Sequence, residues 1–185
     1  CSEWGRVRNY LKISNMNQLG RMKVHNKSEV FISVDIESSG PIPGEYDLLS
    51  IGMCMVNNPT VNFYCELKPI SKKYDPEALL VTGFNLDDLL INGLVAEEAM
   101  RKCSDWIQHH IKENETPIFV GFNVGFDWSF MNYYFYRYLG NNPFGYTSVD
   151  IKSMYLGCFG GRWLDTKSSK IVERLKPQFK SNHNA

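Results

Sequence analysis

The chain has 185 residues, 43% hydrophobic, 14% aromatic and 22% charged, with as many acidic as basic side chains. This suffices for one compact domain with its own core, is too short for two, and excludes a disordered or fibrous polypeptide. No apolar run approaches the roughly 18–20 residues that span a bilayer, no signal-peptide pattern opens the chain, and its cysteines form no C-x-x-C pair, so a soluble cytoplasmic protein without membrane contact is expected.

The balanced charge hides an uneven distribution: residues 1–29 sum to +4, residues 30–150 to −9 and residues 151–185 to +5. An acidic middle between basic ends suits an enzyme that uses carboxylates for cations and Lys/Arg for phosphates, although solvated surface charge accounts for it as well. Residues 1–28 are polar and basic and read as an N-terminal arm ahead of a domain at 29–185. An opening Cys1 in place of methionine suggests a fragment or a processed form.

In chain order, Val30 to Val34 is a β-branched run that predicts a buried strand ending at Asp35-Ile36-Glu37, with a loop at Ser38-Ser39-Gly40-Pro41. Leu48 to Val56 and Val61 to Leu67 read as two further strands around a turn at Asn57-Asn58-Pro59, completing an antiparallel meander. Helices are predicted near Pro76 to Val81 and from Ala96 to Lys112, where Ala99, Cys103, Trp106 and Ile107 recur at helical spacing. A strand at Pro117 to Gly121, a helix at Phe126 to Leu139, a strand at Tyr146 to Val149 and a helix at Ile151 to Cys158 follow. The expected fold is α/β, a mixed five-stranded sheet with helices packed on it.

Three acids stand out. Asp35 and Glu37 lie two residues apart on one strand, so both side chains leave the same face, about 7 Å apart along it. Unaided they repel; a bound hard cation such as magnesium or manganese removes the conflict. Two solvated acids at a strand end explain the D-x-E pattern equally. Asp127 follows the strand at Ile118 to Val120 and falls in the first turn of the next helix, where it either faces the same site or complements the helix dipole, an effect of roughly 0.3–1 kcal/mol.

Asp35-Ile36-Glu37, Leu49-Ser50-Ile51-Gly52 and Asn123-Val124-Gly125-Phe126-Asp127 together resemble the first two motifs of the DEDD superfamily of 3'-5' exonucleases, which includes proofreading subunits, ribonuclease T and oligoribonuclease. The resemblance implies a ribonuclease H-like fold. In the histidine branch, DEDDh, the third motif reads H-x-A-x-x-D; His183-Asn184-Ala185 matches its start, and the final acid would fall at position 188. The domain is therefore expected to continue past the given end, and the chain as it stands to bind metal weakly and to be impaired or inactive. Tyr146-Thr147-Ser148-Val149-Asp150 matches the Y-x-x-x-D of the tyrosine branch, but it comes only nineteen residues after Asp127 and reads as strand, which favours His183.

The implied chemistry is hydrolysis of phosphodiesters at the 3' end of single-stranded DNA or RNA, releasing nucleoside 5'-monophosphates. Asp35, Glu37 and Asp127 would hold two Mg2+ or Mn2+ ions, Asp35 bridging them, and His183 would activate the attacking water. Ser38, Ser39 and Phe126 are candidate substrate contacts, with Phe122, Trp128 and Phe130 as further aromatics for stacking unless the core claims them. The basic run Lys167, Lys170, Arg174, Lys176 and Lys180 would reach phosphates or simply face solvent. A homodimer remains open. The rival readings are a nucleic-acid-binding domain without turnover, and an endonuclease or transposase on the same fold.

Overall fold

The computed structural model describes residues 27–176, so the arm up to residue 26 and His183 lie outside the described residues. Strands β1 (Ser28–Ser38), β2 (Leu48–Met55) and β3 (Asn58–Glu66) come first. Helices α1 (Pro76–Thr82), α2 (Leu86–Asn92) and α3 (Ala96–His110) lead to β4 (Glu115–Gly121), α4 (Gly125–Leu139), β5 (Ser148–Asp150) and α5 (Ile151–Phe159). A 3-10 turn at Trp163–Thr166 and α6 (Ser168–Leu175) complete the described chain.

The five strands form one mixed sheet in the order β3-β2-β1-β4-β5. β1, β2 and β3 pair antiparallel through short connections, whereas β4 and β5 join parallel to β1 and β4. Strand periodicity splits β1 cleanly. Ile32, Val34 and Ile36 face the core with Ile51, Met53 and Met55 of β2, under Ala99, Met100, Cys103 and Ile107 of α3 and Phe130, Met131, Tyr134 and Phe135 of α4. Burying each of the larger of these side chains stabilises the fold by about 1.5–3 kcal/mol. Phe119 of β4 sits edge-on to Trp128 and Phe144, with ring centroids 5.2 and 5.1 Å away. Ser33, Asp35 and Glu37 are left on the opposite face.

Local chemistry sets the boundaries. Asp75 caps α1 by accepting from the Glu77 amide at 2.9 Å, Pro76 opens it, and Gly83 closes it at φ 71°. Asp150 caps α5 by accepting from the Ser153 amide at 3.0 Å.

Four readings need correction. β1 does not end at the carboxylates: β2 keeps pairing as far as Glu37 with Ser50, so the strand runs to Ser38 with an irregularity between Glu37 and Ser38. Pro59, expected in a turn, lies inside β3, which tolerates it as an edge strand with one unpaired side. β5 spans only Ser148–Asp150, and Tyr146 stands 84% exposed outside it. Helix α2 was not foreseen, although Asn85, which caps it by accepting from the Asp87 amide at 2.9 Å, and Gly93 mark its two ends.

Gly93 also holds the crossing between α2 and the end of β3. A Cβ there would meet the Leu67 carbonyl carbon and the Lys68 nitrogen at 2.6 Å and the Leu89 oxygen at 2.7 Å, all backbone atoms. Gly93→Ala should therefore destabilise the protein by roughly 1–3 kcal/mol and lower its melting temperature by several degrees; an unchanged thermal melt would contradict the packing described.

Candidate active site

The sheet face opposite the core carries the acids, and register fixes their neighbours. Asp35 pairs with Gly52 and Glu37 with Ser50 on β2; across β2, Gly52 meets Tyr64 and Ser50 meets Glu66 on β3. Gly52 has no side chain, so the floor between Asp35 and Tyr64 stays open. Together with Thr82, Gly83 and Phe84 from the α1–α2 connection, these residues line a groove of about 700 Å³. The Tyr64 hydroxyl donates to Glu66 Oε1 at 2.9 Å. The Ser50 hydroxyl, between Glu37 and Glu66, is buried without a hydrogen-bond partner among the described residues.

Asp127 joins this face from the other side of the sheet. β4 lies parallel beside β1, so the turn after β4 delivers the first turn of α4 to the far end of β1. There Asp127 Oδ1 accepts from the Ile36 amide at 3.1 Å, between Asp35 and Glu37 in sequence. Asp127 is only 5% exposed, and its carboxyl is pushed up to about 7, first by burial and then by the charges of Asp35 and, more weakly, Glu37, against the opposing Ile36 hydrogen bond. The expected meeting of Asp35, Glu37 and Asp127 is thus present, and Asp127 occupies the helix N-terminus as well.

The donors fit a divalent cation. Every candidate ligand is a carboxylate or hydroxyl oxygen, the acids raise each other's cost of ionisation, and the Ser50 hydroxyl lacks a partner that a hydrated ion could supply. Among the described residues no three such groups close into a ready cage, so an ion would have to draw the carboxylates inward.

Ser39 departs from its expected role. Its hydroxyl donates to the Lys73 carbonyl at 3.1 Å and accepts from the Asp47 amide at 2.8 Å, while its backbone binds Asp47 and Asp75. With both hydroxyl functions engaged and the residue 1% exposed, Ser39 ties the exit of β1 to the lead into α1 and has nothing left to offer a substrate side chain. Ser38 donates to the Gly40 carbonyl at 2.7 Å, and with Glu37, Val81, Thr82 and Phe126 it borders a second cavity of about 340 Å³. Trp128 and Phe130 belong to the core or pack against it, whereas Phe126 is 38% exposed.

Asp150 of the tyrosine-type pattern is a brace. Despite the opposing effect of its partial burial, hydrogen bonds from the Ser153 hydroxyl and the Val124 and Ser153 amides hold its carboxyl below the usual range. The anchored Val124 amide fixes the loop that presents Asp127. Tyr64 and Glu66 were missed as lining residues, although the alternation along β3 places them on one face.

Among proteins of known activity, the chain is 51% identical over 157 residues to the 3'-5' DNA exonuclease Cap18 of Escherichia coli, a match covering 85% of this chain and 84% of that protein. The chain belongs to the DEDDh-type 3'-5' exonucleases. No protein-family model matches it. Among solved structures, the family's fold recurs in the nuclease domain of 3'hExo, a DEDDh member bound to rAMP, at a TM-score of 0.67 and 14% identity, over 83% of this chain and 82% of that one. E. coli exonuclease I in complex with a dA16 oligonucleotide aligns at a TM-score of 0.57 and 17% identity, over 71% of this chain and 30% of that one. The chain spans about a third of the exonuclease I chains it matches. The five-stranded mixed sheet is the ribonuclease H-like architecture expected. Among the described residues no helix is long and apolar enough to cross a membrane.

Proposed function

We propose that residues 29–185 form an exonuclease unit that removes nucleotides singly from the 3' end of single-stranded DNA, using two divalent cations, Mg2+ or Mn2+, held by Asp35, Glu37 and Asp127. The observation that carries this reading is the placement of Asp127 against the Ile36 amide between Asp35 and Glu37, which brings acids 92 positions apart in the chain to one strand tip. DNA is favoured over RNA by the likeness to Cap18, whose name states a DNA substrate.

When bound, the cations would supply Lewis-acid stabilisation of the attacking and leaving oxygens. The remaining work falls to the protein. His183 takes a proton from the attacking water, a role suited to an imidazole that titrates near neutrality. The water oxygen bonds to phosphorus, the bond to the 3' oxygen breaks, and a nucleoside 5'-monophosphate leaves a strand one residue shorter. Phe126 and Ser38, beside Glu37, border the space for the terminal nucleoside, and Ser39 acts indirectly by fixing the loop.

The test is a 5'-labelled single-stranded DNA incubated with Mg2+ or Mn2+. A ladder shortening from the 3' end, abolished by EDTA, is expected, with circular single-stranded DNA left intact. Cleavage of the circle would point to an endonuclease, and metal-independent or absent turnover would leave a binding domain.

A further inference from the structure

A second patch of unused chemistry borders the carboxylates. Ser33 of β1 pairs with Val120 of β4; two residues further along, β1 carries Asp35 and the neighbouring chain carries Phe122, just past the end of β4. Phe122 is 39% exposed, and Trp163, from the turn after α5, is 50% exposed. Between them stands Lys152, in the first turn of α5, with Nζ 4.5 Å from the Trp163 ring centroid and 5.8 Å from that of Phe122. Nζ also donates to Asn123 Oδ1 at 3.2 Å, on the loop that leads to Asp127. Among the described residues no carboxylate forms an ion pair with this cation.

The surrounding charge has one sign. Residues 151–176 hold six Lys/Arg against two Asp/Glu, in contrast to the acidic groove on the other side of Asp35. Two exposed rings flanking a cation without an acidic partner match what a single strand presents, bases to stack and phosphates to neutralise. The carboxylates consume only the last nucleotide, so this ledge lies where the rest of the strand would have to pass.

We propose that Phe122, Lys152 and Trp163 form a second contact for single-stranded nucleic acid, with Lys152 on a backbone phosphate and the rings stacked against bases upstream of the 3' end. The inference rests on the exonuclease reading for its substrate. It makes the ledge a device for holding long strands, so that efficiency depends on substrate length.

Steady-state hydrolysis of a thymidine 20-mer and a trinucleotide by wild type, Lys152→Glu, Lys152→Arg and Trp163→Ala tests it, with thermal melts to show that each variant folds. Lys152→Glu and Trp163→Ala should raise KM for the 20-mer by about tenfold, several times more than for the trinucleotide. Lys152→Arg should keep most of the affinity. The salt dependence of binding should lose a slope of about 0.7 in Lys152→Glu, the share of one phosphate on a single strand. Equal effects on both lengths, or none, overturn the ledge. Fluorescence anisotropy of the labelled 20-mer in EDTA needs no turnover, and unchanged affinity of both variants there overturns it too. An inactive wild type whose affinity nonetheless depends on Lys152 would instead refute the exonuclease reading and leave the ledge standing.

Discussion

Asp35→Ala should abolish exonuclease turnover, lowering kcat by roughly a thousandfold or more, while leaving the fold intact. Asp35 lies on the open sheet face, outside the core, so its removal creates no cavity. It also raises the cost of ionising Asp127, second only to burial. The variant should therefore show two linked changes: mononucleotide release falls to background, and the Asp127 carboxyl titrates closer to the ordinary carboxylate range. The first is measured by chromatography of products from a labelled strand, the second by carbon-13 NMR of the Asp127 carboxyl in metal-free protein. Turnover surviving in Asp35→Ala would remove the carboxylate site as the seat of chemistry. An unmoved Asp127 titration would mean that the two acids do not share a field.

The sheet and its acidic face were legible because strand periodicity acts locally. Val30, Ile32 and Val34 alternate with polar residues, and that alternation alone assigns Asp35 and Glu37 to the face away from the core. Asp127 was legible only in combination, because its helix position follows from the sequence but its arrival beside Ile36 depends on β4 lying next to β1. The role of Ser39 was hidden for the same reason: its partners, Asp47, Lys73 and Asp75, come from three places in the chain, and no local pattern announces them. Helix α2 escaped because seven residues with two adjacent acids carry too little apolar periodicity to register. The ledge of Phe122, Lys152 and Trp163 likewise joins a loop, a helix start and a turn that only the folded chain brings together.

The tyrosine-type motif shows the opposite hazard. Tyr146 and Asp150 satisfy a spacing rule, yet the tyrosine ring is almost fully exposed and the carboxylate is spent on the start of α5 and the Val124 amide. An acid saturated with donors is a poor cation ligand, whereas Asp127, buried among other acids and short of compensating charge, is a good one. Sequence spacing cannot separate these two environments; the hydrogen bonds do.

Asp127→Asn should lose activity and gain stability, and the gain should depend on pH. An asparagine keeps an oxygen to accept from the Ile36 amide, so the contact at the tip of β1 survives while the buried charge disappears. In wild type the carboxyl binds its proton more tightly when folded, at about 7, than when unfolded, at 3.8. The stability tied to that proton is fully present below 3.8 and is lost as the pH rises to about 7. At pH 8 metal-free wild type should thus be less stable than Asp127→Asn by up to roughly 4 kcal/mol, and near pH 4 the two should converge. Saturating Mg2+ or Mn2+ should raise the wild-type melting point at pH 8 and do far less for the variant, because the cation replaces the proton as the charge that makes burial tolerable. Calorimetric melts across pH, with and without metal, measure both effects. A stability difference that ignores pH would show that Asp127 is not held near neutrality, and an equal metal response in the two proteins would remove it from the ligand set.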